Sequence, residues 1–123
     1  MAKILIVDDS RTSRKFLRDI LEKSGNEIVG EAVNGLEGFD LYQKLKPDIV
    51  TMDITMPVMD GLDSLKLIMR FDPAAKVVMV TAAGQQQKML EAVKLGALEF
   101  IAKPFDTPTI AETVNKIMEK DDE

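Results

Sequence analysis

Residues that can carry out chemistry stand directly after four of the short apolar runs of this chain. Two adjacent acids, Asp8 and Asp9, follow "KILIV", and a third acid, Asp53, follows "DIVTM". A hydroxyl, Thr81, follows "KVVMV", and an amine, Lys103, follows "LEFIA". If these runs are parallel strands of one sheet, their carboxyl ends share an edge, where open α/β sheets bind ligands. The spacing therefore predicts a cluster of three carboxylates, a hydroxyl and an ammonium group.

Such a cluster is suited to phosphoryl transfer. Three carboxylates packed together repel one another, so positive charge must neutralise them or their pKa values must rise. Lys103 supplies one charge, and a divalent cation bound by oxygen atoms would supply the rest. Oxygen ligands favour Mg²⁺, Ca²⁺ or Mn²⁺, and we expect Mg²⁺, for which Mn²⁺ could substitute. A carboxylate can act as a nucleophile and form an aspartyl phosphate, while the metal and the lysine offset charge in the transition state. Asp53 is central in the cluster, so we expect it to be the nucleophile.

Each of these residues also has a simpler structural explanation. One of the two acids after the first run, or Ser10, could cap the first helix, and Thr81 could cap another. A lysine before a proline, such as Lys103, is usually a solvated surface residue. Asp53 is not explained in this way, because residues 55–57 separate it from the next helix. The combination of all five favours the functional interpretation.

The rest of the chain predicts the elements that hold these residues. Apolar runs at 3–7, 27–32, 48–52, 76–80 and 98–102 alternate with stretches of helical period. Three of the runs are almost continuously apolar, as in central strands covered on both faces. About five βα units predict an open, doubly wound α/β fold with a parallel sheet and right-handed crossovers, since a closed barrel needs about eight units.

Apolar residues at helical spacing predict the five helices. We expect them at 11–24, 35–46, 61–71 and 85–95, with a last helix that has Thr107 as its N-cap and Pro108 in its first turn. In the fourth helix Met89, Ala92 and Val93 form the expected inward face. The last helix leads to the acidic C-terminal residues "KDDE".

Composition excludes several classes of function. The chain has 123 residues, enough for one domain, and 46% of them are apolar. A net charge of −5 argues against nucleic-acid binding. The absence of Cys and His excludes disulfides, thiol catalysis, an imidazole base and phosphohistidine. No apolar run approaches the length of a signal peptide core or a membrane span, so we expect a cytoplasmic protein with no membrane partner.

Four motifs together resemble the receiver domain of response regulators, in particular the CheY-like chemotaxis regulators. They are "ILIVDDS", "DIVTMDITMPVMDG", "VVMVTA" and "GALEFIAKPF", and the resemblance covers essentially the whole chain. It implies a flavodoxin-like (βα)5 fold with strand order 2-1-3-4-5, for which CheY is a known example. It also implies that residues 1–123 form a single receiver domain without an output domain.

The resemblance implies a role for each residue of the cluster. Asp53 would be the phosphoacceptor, with the phosphoryl group coming from a sensor histidine kinase or a histidine phosphotransfer protein. Mg²⁺ would be held by Asp8, Asp9, Asp53 and the backbone carbonyl of Thr55. Lys103 would pair with the phosphoryl group, and its bond to the following proline is expected to be cis.

The resemblance also implies how the signal leaves the domain. Thr81 would move inward to hydrogen-bond the phosphoryl group while Phe100, at the aromatic switch position, turns inward. A surface formed by helix 85–95, strand 98–102 and the last helix would then bind a downstream target, possibly the flagellar motor switch. The protein is expected to be a monomer and an autocatalytic phosphoacceptor with slow self-dephosphorylation rather than a turnover enzyme.

Several alternatives stay open on the sequence alone. A phosphorelay intermediate that passes its phosphoryl group to a histidine also fits a single receiver domain. A metal-dependent aspartyl-phosphate phosphatase would have similar chemistry, although its nucleophile motif has an acid where this chain has Thr55. A docking module that accepts no phosphoryl group is disfavoured by the intact set of site residues. Arg11, Arg14, Lys15 and Arg18 form either a solvated helix face or a docking site for the phosphodonor.

Two positions bear on the lifetime of a phosphoryl group. In the family that the chain resembles, the residues two places after the acceptor and two after the hydroxyl tune hydrolysis. Here they are Thr55 and Ala83, neither of which has a carboxylate or an amide that could orient a water molecule. The sequence therefore predicts a longer-lived phosphoryl group.

Overall fold

The computed structural model describes residues 1–121, and the side chains of residues 1–119. Five strands alternate with five helices, as the apolar runs predict. The strands are β1 (Lys3–Val7), β2 (Glu27–Ala32), β3 (Ile49–Asp53), β4 (Val77–Thr81) and β5 (Glu99–Ala102). The helices are α1 (Arg11–Lys23), α2 (Gly35–Leu45), α3 (Gly61–Phe71), α4 (Gln86–Leu95) and α5 (Thr107–Asp121).

The strands form one parallel sheet in the order β2-β1-β3-β4-β5, which confirms the predicted fold. The pairing of β3 with β4 ends at Asp53, which lies opposite Val80. The next residue of β4, Thr81, pairs with Ala102 of β5. Since all strands run in the same direction, the residues at their carboxyl ends are brought to one edge.

Two apolar clusters cover the two faces of the sheet. On one face, side chains of α2, α3 and α4 such as Tyr42, Leu65 and Ala92 pack on β1, β3 and β4. On the other face, α1 and α5 contribute Leu17 and Ile110, among others. Burial on both faces explains why the central strands are almost continuously apolar, and it fixes the strand ends that carry polar residues.

Several local predictions need correction. Asp53 and Thr81 are the last residues of their strands rather than the first residues after them. The side chain of Asp106, and not that of Thr107, caps α5, because its Oδ1 accepts a hydrogen bond of 2.8 Å from the N–H of Thr109. Val93 points outward and is 53% exposed, since α4 buries only a narrow face around Ala92.

Among the described residues, no helix combines the length and the apolar character that a membrane crossing requires.

Gly61 allows the loop after β3 to fold back against the strand end. Its N–H donates a 2.7 Å hydrogen bond to the carbonyl of Ile54, and it is the first residue of α3, after the N-cap Asp60. A Cβ atom at this position would overlap the backbone carbonyl oxygen of Asp53. The lack of a side chain is therefore a steric requirement of the backbone that positions Asp53.

We expect Gly61→Ala to lower the free energy of unfolding by about 3 kcal/mol, at the upper end of the usual cost of overpacking, because the obstacle is backbone rather than a movable side chain. Gly25→Ala is the control, since Gly25 has φ +90° with open space around it, and only the conformational cost of about 1 kcal/mol applies. Urea denaturation measures both values. Equal losses for the two variants would contradict the steric explanation.

Candidate functional site

Three carboxylates meet at the carboxyl edge of the sheet. Asp8 and Asp9 follow β1, and Asp53 ends β3; one oxygen from each lies within 4.8 Å of the others. Asp8 is 1% exposed and Asp53 is 6% exposed, whereas Asp9 is exposed to solvent. The structure thus brings together the acids that the sequence singles out, two of them largely shielded from water.

Lys103 places its ammonium group against the two buried acids. Its Nζ lies 3.3 Å from Oδ2 of Asp53 and 3.6 Å from Oδ2 of Asp8. Its backbone N–H donates a 2.7 Å hydrogen bond to the carbonyl of Thr81, and its bond to Pro104 is cis, as predicted. The Nζ also lies 6.0 Å from the ring centroid of Phe105, at the limit of a cation–π contact. One lysine therefore faces two carboxylates.

The surroundings of Asp53 raise its pKa from the usual 3.8 to about 6. Removal from water is the largest cause, and the neighbouring charge of Asp8 acts in the same direction. The ion pair and hydrogen bond with Lys103 and the hydrogen bond from the N–H of Ile54 lower the pKa without cancelling the increase. The site as it stands is therefore short of positive charge.

Asp8 has one oxygen that is suited to a cation. Its Oδ1 accepts a 2.8 Å hydrogen bond from the N–H of Ser10. Its Oδ2 is buried and has no hydrogen-bond partner in the described part of the chain, with only the ammonium of Lys103 at 3.6 Å. A buried carboxylate oxygen without a hydrogen bond is unfavourable unless a cation compensates it. With Asp9 and Asp53 beside it, this oxygen fits a hard divalent ion such as Mg²⁺.

The other predicted site residues lie around this cluster. Thr81 ends β4 beside Asp53 and is 2% exposed. Thr55 is exposed on the loop after β3, and its side-chain oxygen accepts a hydrogen bond. Phe100, in β5, is 46% exposed, so its ring lies outward in this structure. Its backbone pairs with Met79 in β4, two residues before Thr81.

Gln85 belongs to the site although sequence reasoning did not select it. Its Oε1 accepts a 2.6 Å hydrogen bond from the N–H of Ala82, and its Nε2 donates a 2.8 Å hydrogen bond to Oγ1 of Thr55. In the sequence Gln85 lies in the polar run "GQQQK", which is equally typical of a solvated helix start. Nothing in that run distinguishes Gln85 from its neighbours, so only the path of the loop reveals its contacts.

The basic residues of α1 divide into two groups. Arg14 and Arg18 both form ion pairs with Glu31 of β2, at 3.1 and 2.8 Å, and Arg14 also donates to the carbonyl of Asp8. These two arginines therefore tie the helix to the sheet, which favours a structural role for them. Arg11 and Lys15 are both exposed, and neither forms an ion pair within the described residues. Ser10 is the N-cap of α1, accepting from the N–H of Ser13.

Comparison with known proteins identifies the class of protein that this fold and site define. The sequence profile of the response regulator receiver domain matches residues 4–115. The chain belongs to this family.

Individual relatives show which kind of receiver domain the chain resembles. The chain is 51% identical, over 115 residues, to the chemotaxis protein CheY of Thermotoga maritima. The alignment covers 94% of this chain and 96% of that protein. It is 49% identical, over 118 residues, to the protein CcdB of Bacillus subtilis, and the alignment covers 96% of this chain and 98% of that protein. These similarities make it the receiver domain of a CheY-like response regulator.

A solved structure is similar in fold. It is a chain in a crystal structure of the CheX–CheY–BeF3–Mg²⁺ complex from Borrelia burgdorferi, with a TM-score of 0.90 and 39% sequence identity. The alignment covers 94% of this chain and 88% of the other. The fold of the present chain is therefore the receiver fold, including its strand order.

Asp53→Asn tests the charge imbalance through stability. The raised pKa means that ionising Asp53 disfavours the folded state. The contribution of the protonated carboxyl to stability is fully present below the unfolded pKa of about 3.8 and is lost as pH rises through about 6. Without metal at pH 7.5, we expect Asp53→Asn to raise the free energy of unfolding by about 1–2 kcal/mol, with the full value reduced by solvent screening. The difference should vanish near pH 4 in urea denaturation.

Asp40→Asn is the matched control, because Asp40 is an exposed acid on α2. We expect its stability to follow that of the wild type at both pH values, within about 0.5 kcal/mol. Millimolar Mg²⁺ should stabilise the wild type and remove the advantage of Asp53→Asn, since a bound cation compensates the carboxylates. An advantage of Asp53→Asn that is the same at pH 4 and pH 7.5 would show that its ionisation is not the cause.

Proposed function

We propose that this protein is a phospho-accepting response regulator in which Asp53 receives a phosphoryl group with the help of Mg²⁺. The observation that carries the proposal is the buried carboxylate of Asp53, which lies 3.3 Å from the ammonium of Lys103 and within reach of two further acids. A shielded nucleophile with one fixed cation and ligands for another is the arrangement that phosphoryl transfer to a carboxylate requires. The donor would be a sensor histidine kinase or a histidine phosphotransfer protein.

The chemistry assigns one task to each group. An oxygen of ionised Asp53 forms a bond to phosphorus, while the bond from phosphorus to the nitrogen of a phosphohistidine, or to the oxygen of a small acyl phosphate, breaks and the leaving group keeps its electron pair. Lys103 offsets charge on the phosphoryl oxygens. Asp8, Asp9 and the carbonyl of Thr55 would complete the metal site with Asp53. Bound Mg²⁺ supplies electrostatic stabilisation of the oxygens around phosphorus.

Phosphorylation would change the surface through Thr81 and Phe100. A phosphoryl group adds roughly −1.5 to −2 charge and strong acceptor oxygens, and the hydroxyl of Thr81 lies at the adjacent strand end. As Thr81 moves toward it, Phe100 would turn inward from its exposed position and alter the surface made by α4, β5 and α5. A protein partner would read that surface, and the similarity to chemotaxis proteins favours the flagellar motor switch.

We propose further that the protein signals by occupancy rather than by turnover. The acceptor is a side chain of the protein itself, so each transfer yields one phosphorylated chain, followed by slow hydrolysis. The Borrelia burgdorferi relative is crystallised with CheX, BeF3 and Mg²⁺, which supports both metal use and recognition by a separate protein. No distinct feature of the site favours a phosphorelay role over the chemotaxis role.

Intact mass spectrometry after incubation with acetyl phosphate and Mg²⁺ tests the phosphoacceptor. We expect one added phosphoryl group per chain in the wild type, since acetyl phosphate supplies the same phosphoryl group as a kinase. The addition should be absent when EDTA removes the metal and absent in Asp53→Asn. Modification of Asp53→Asn at the wild-type rate, with both proteins folded by circular dichroism, would place the acceptor elsewhere and overturn the proposal.

Thr81→Val tests the link from the phosphoryl group to the surface. Valine keeps the shape of the buried side chain and removes the hydroxyl, so phosphorylation should persist while the change at Phe100 is lost. The measurement is the side-chain NMR signal of Phe100 with and without acetyl phosphate. An unchanged response of Phe100 in Thr81→Val would contradict the link.

Thr51→Val is the matched control for that experiment. Thr51 is another buried strand threonine, and its hydroxyl has no hydrogen-bond partner within the described residues. Removing an unsatisfied buried hydroxyl should leave phosphorylation and the Phe100 response intact, and raise the free energy of unfolding by about 1 kcal/mol. The two variants thus separate the loss of a particular hydroxyl from the general effect of a Thr to Val change in the sheet.

A further inference from the structure

The side chain of Gln85 joins the two loops that leave the strands of Asp53 and Thr81. Its amide accepts from the N–H of Ala82, the residue after Thr81, and donates to the hydroxyl of Thr55, two residues after Asp53. Both hydrogen bonds are short, at 2.6 and 2.8 Å. One side chain therefore links the residue after β4 to the loop after β3.

The amide of Gln85 acts in the manner of an extra peptide group between the strands. Backbone pairing of β3 with β4 ends at Asp53 and Val80, and beyond that point the two chains separate toward different helices. A side-chain amide has the same donor and acceptor as a backbone peptide. Gln85 uses both its donor and its acceptor, so one further hydrogen-bonded link connects the two strand ends beyond the carboxylate of Asp53.

The residues next to Gln85 make no comparable contact. Gln86 and Gln87 are exposed, and neither side chain forms a hydrogen bond within the described part of the chain. Gln85 is partly buried and precedes the first residue of α4. The bridge is thus specific to one position of the "GQQQK" run and connects the start of α4 to the site.

We propose that Gln85 is a positioning residue that holds the end of β4 in its resting place and that must release Ala82 when a phosphoryl group occupies Asp53. The inference rests on the proposed function, in which Thr81 moves toward the phosphoryl group. Ala82 is bonded to Thr81, so a movement of Thr81 displaces the N–H of Ala82 and disturbs its 2.6 Å hydrogen bond to Gln85. The hydrogen bonds of Gln85 therefore stabilise the unphosphorylated arrangement and oppose the switch.

Gln85→Met is the variant that tests this role, since methionine has similar length, has no donor for Thr55 and offers the N–H of Ala82 only a weakly accepting sulfur. The control is Gln87→Met, the same change at an exposed position without such contacts. The first readout is hydrogen exchange of the Ala82 amide without any phosphoryl analogue. We expect exchange to be about two- to tenfold faster in Gln85→Met, the effect of one net hydrogen bond.

The second readout is the affinity for beryllofluoride, a phosphoryl analogue, in the presence of Mg²⁺. If the bridge opposes the switched arrangement, Gln85→Met should bind beryllofluoride about two- to tenfold more tightly than the wild type, and Gln87→Met should equal the wild type. Thr55→Val, which removes the other partner of the bridge but keeps its backbone carbonyl, should shift the affinity in the same direction. A variant with both Gln85→Met and Thr55→Val should gain less binding free energy for beryllofluoride than the sum of the two single gains, because both changes break the same link.

Each outcome has a distinct meaning. Faster exchange of Ala82 in Gln85→Met with unchanged affinity for beryllofluoride would show that the bridge is only structural and would overturn the inference. Weaker binding by Gln85→Met would overturn it as well, because Gln85 would then support the occupied state. Failure of the folded wild type to bind beryllofluoride would instead refute the function on which the inference rests, and the inference with it.

Discussion

The ion-pair geometry between Lys103 and the acids Asp8 and Asp53 is the constraint on which the site depends. One ammonium lies 3.3 and 3.6 Å from two shielded carboxylates, with a third acid nearby. Burial strengthens the repulsion between the acids as well as their attraction to the lysine. The pKa of Asp53, raised to about 6, records that a single cation does not balance the group. A folded protein keeps such an arrangement at the expense of stability, as functional sites commonly do.

The fold supplies the rigidity that this arrangement requires. Two apolar clusters hold the strands from both faces, so the strand ends cannot separate to relieve the repulsion. Gly61 brings the loop after β3 against the carbonyl of Asp53, and Arg14 ties α1 to β2 through Glu31. The parallel direction of the strands then decides which side chains share the edge. The chemistry of the site is thus a consequence of strand direction and of packing on both faces.

The sequence is enough to predict the fold class and the acidic cluster, but not the strand order or the contacts made by loops. Alternation of apolar runs with helical periods is enough for a doubly wound α/β fold, and polar residues at strand ends are enough for the acidic cluster. The strand order follows from the family resemblance alone, because periodicity does not determine it. Contacts that depend on the path of a loop were not predictable: the bridge of Gln85, the cap at Asp106 rather than Thr107, and the pairing of Arg14 with Glu31.

A receiver site must hold its charged groups in fixed positions and must also change conformation when new charge arrives. In this protein, different parts of the structure meet these two requirements. Asp53 ends a strand, and Asp8 and Lys103 directly follow strands that packing holds in place, so the charges stay where a phosphoryl group and a metal ion would need them. Thr55 lies on one loop and Ala82 and Gln85 on another, and within the described residues a side-chain hydrogen bond connects the two. The acids and Lys103 at the strand ends have little freedom to move in response to new charge. The loop residues can exchange their hydrogen-bond partners at a cost of a few hydrogen bonds. A change that begins at Asp53 therefore has its least costly route toward α4 through these loops.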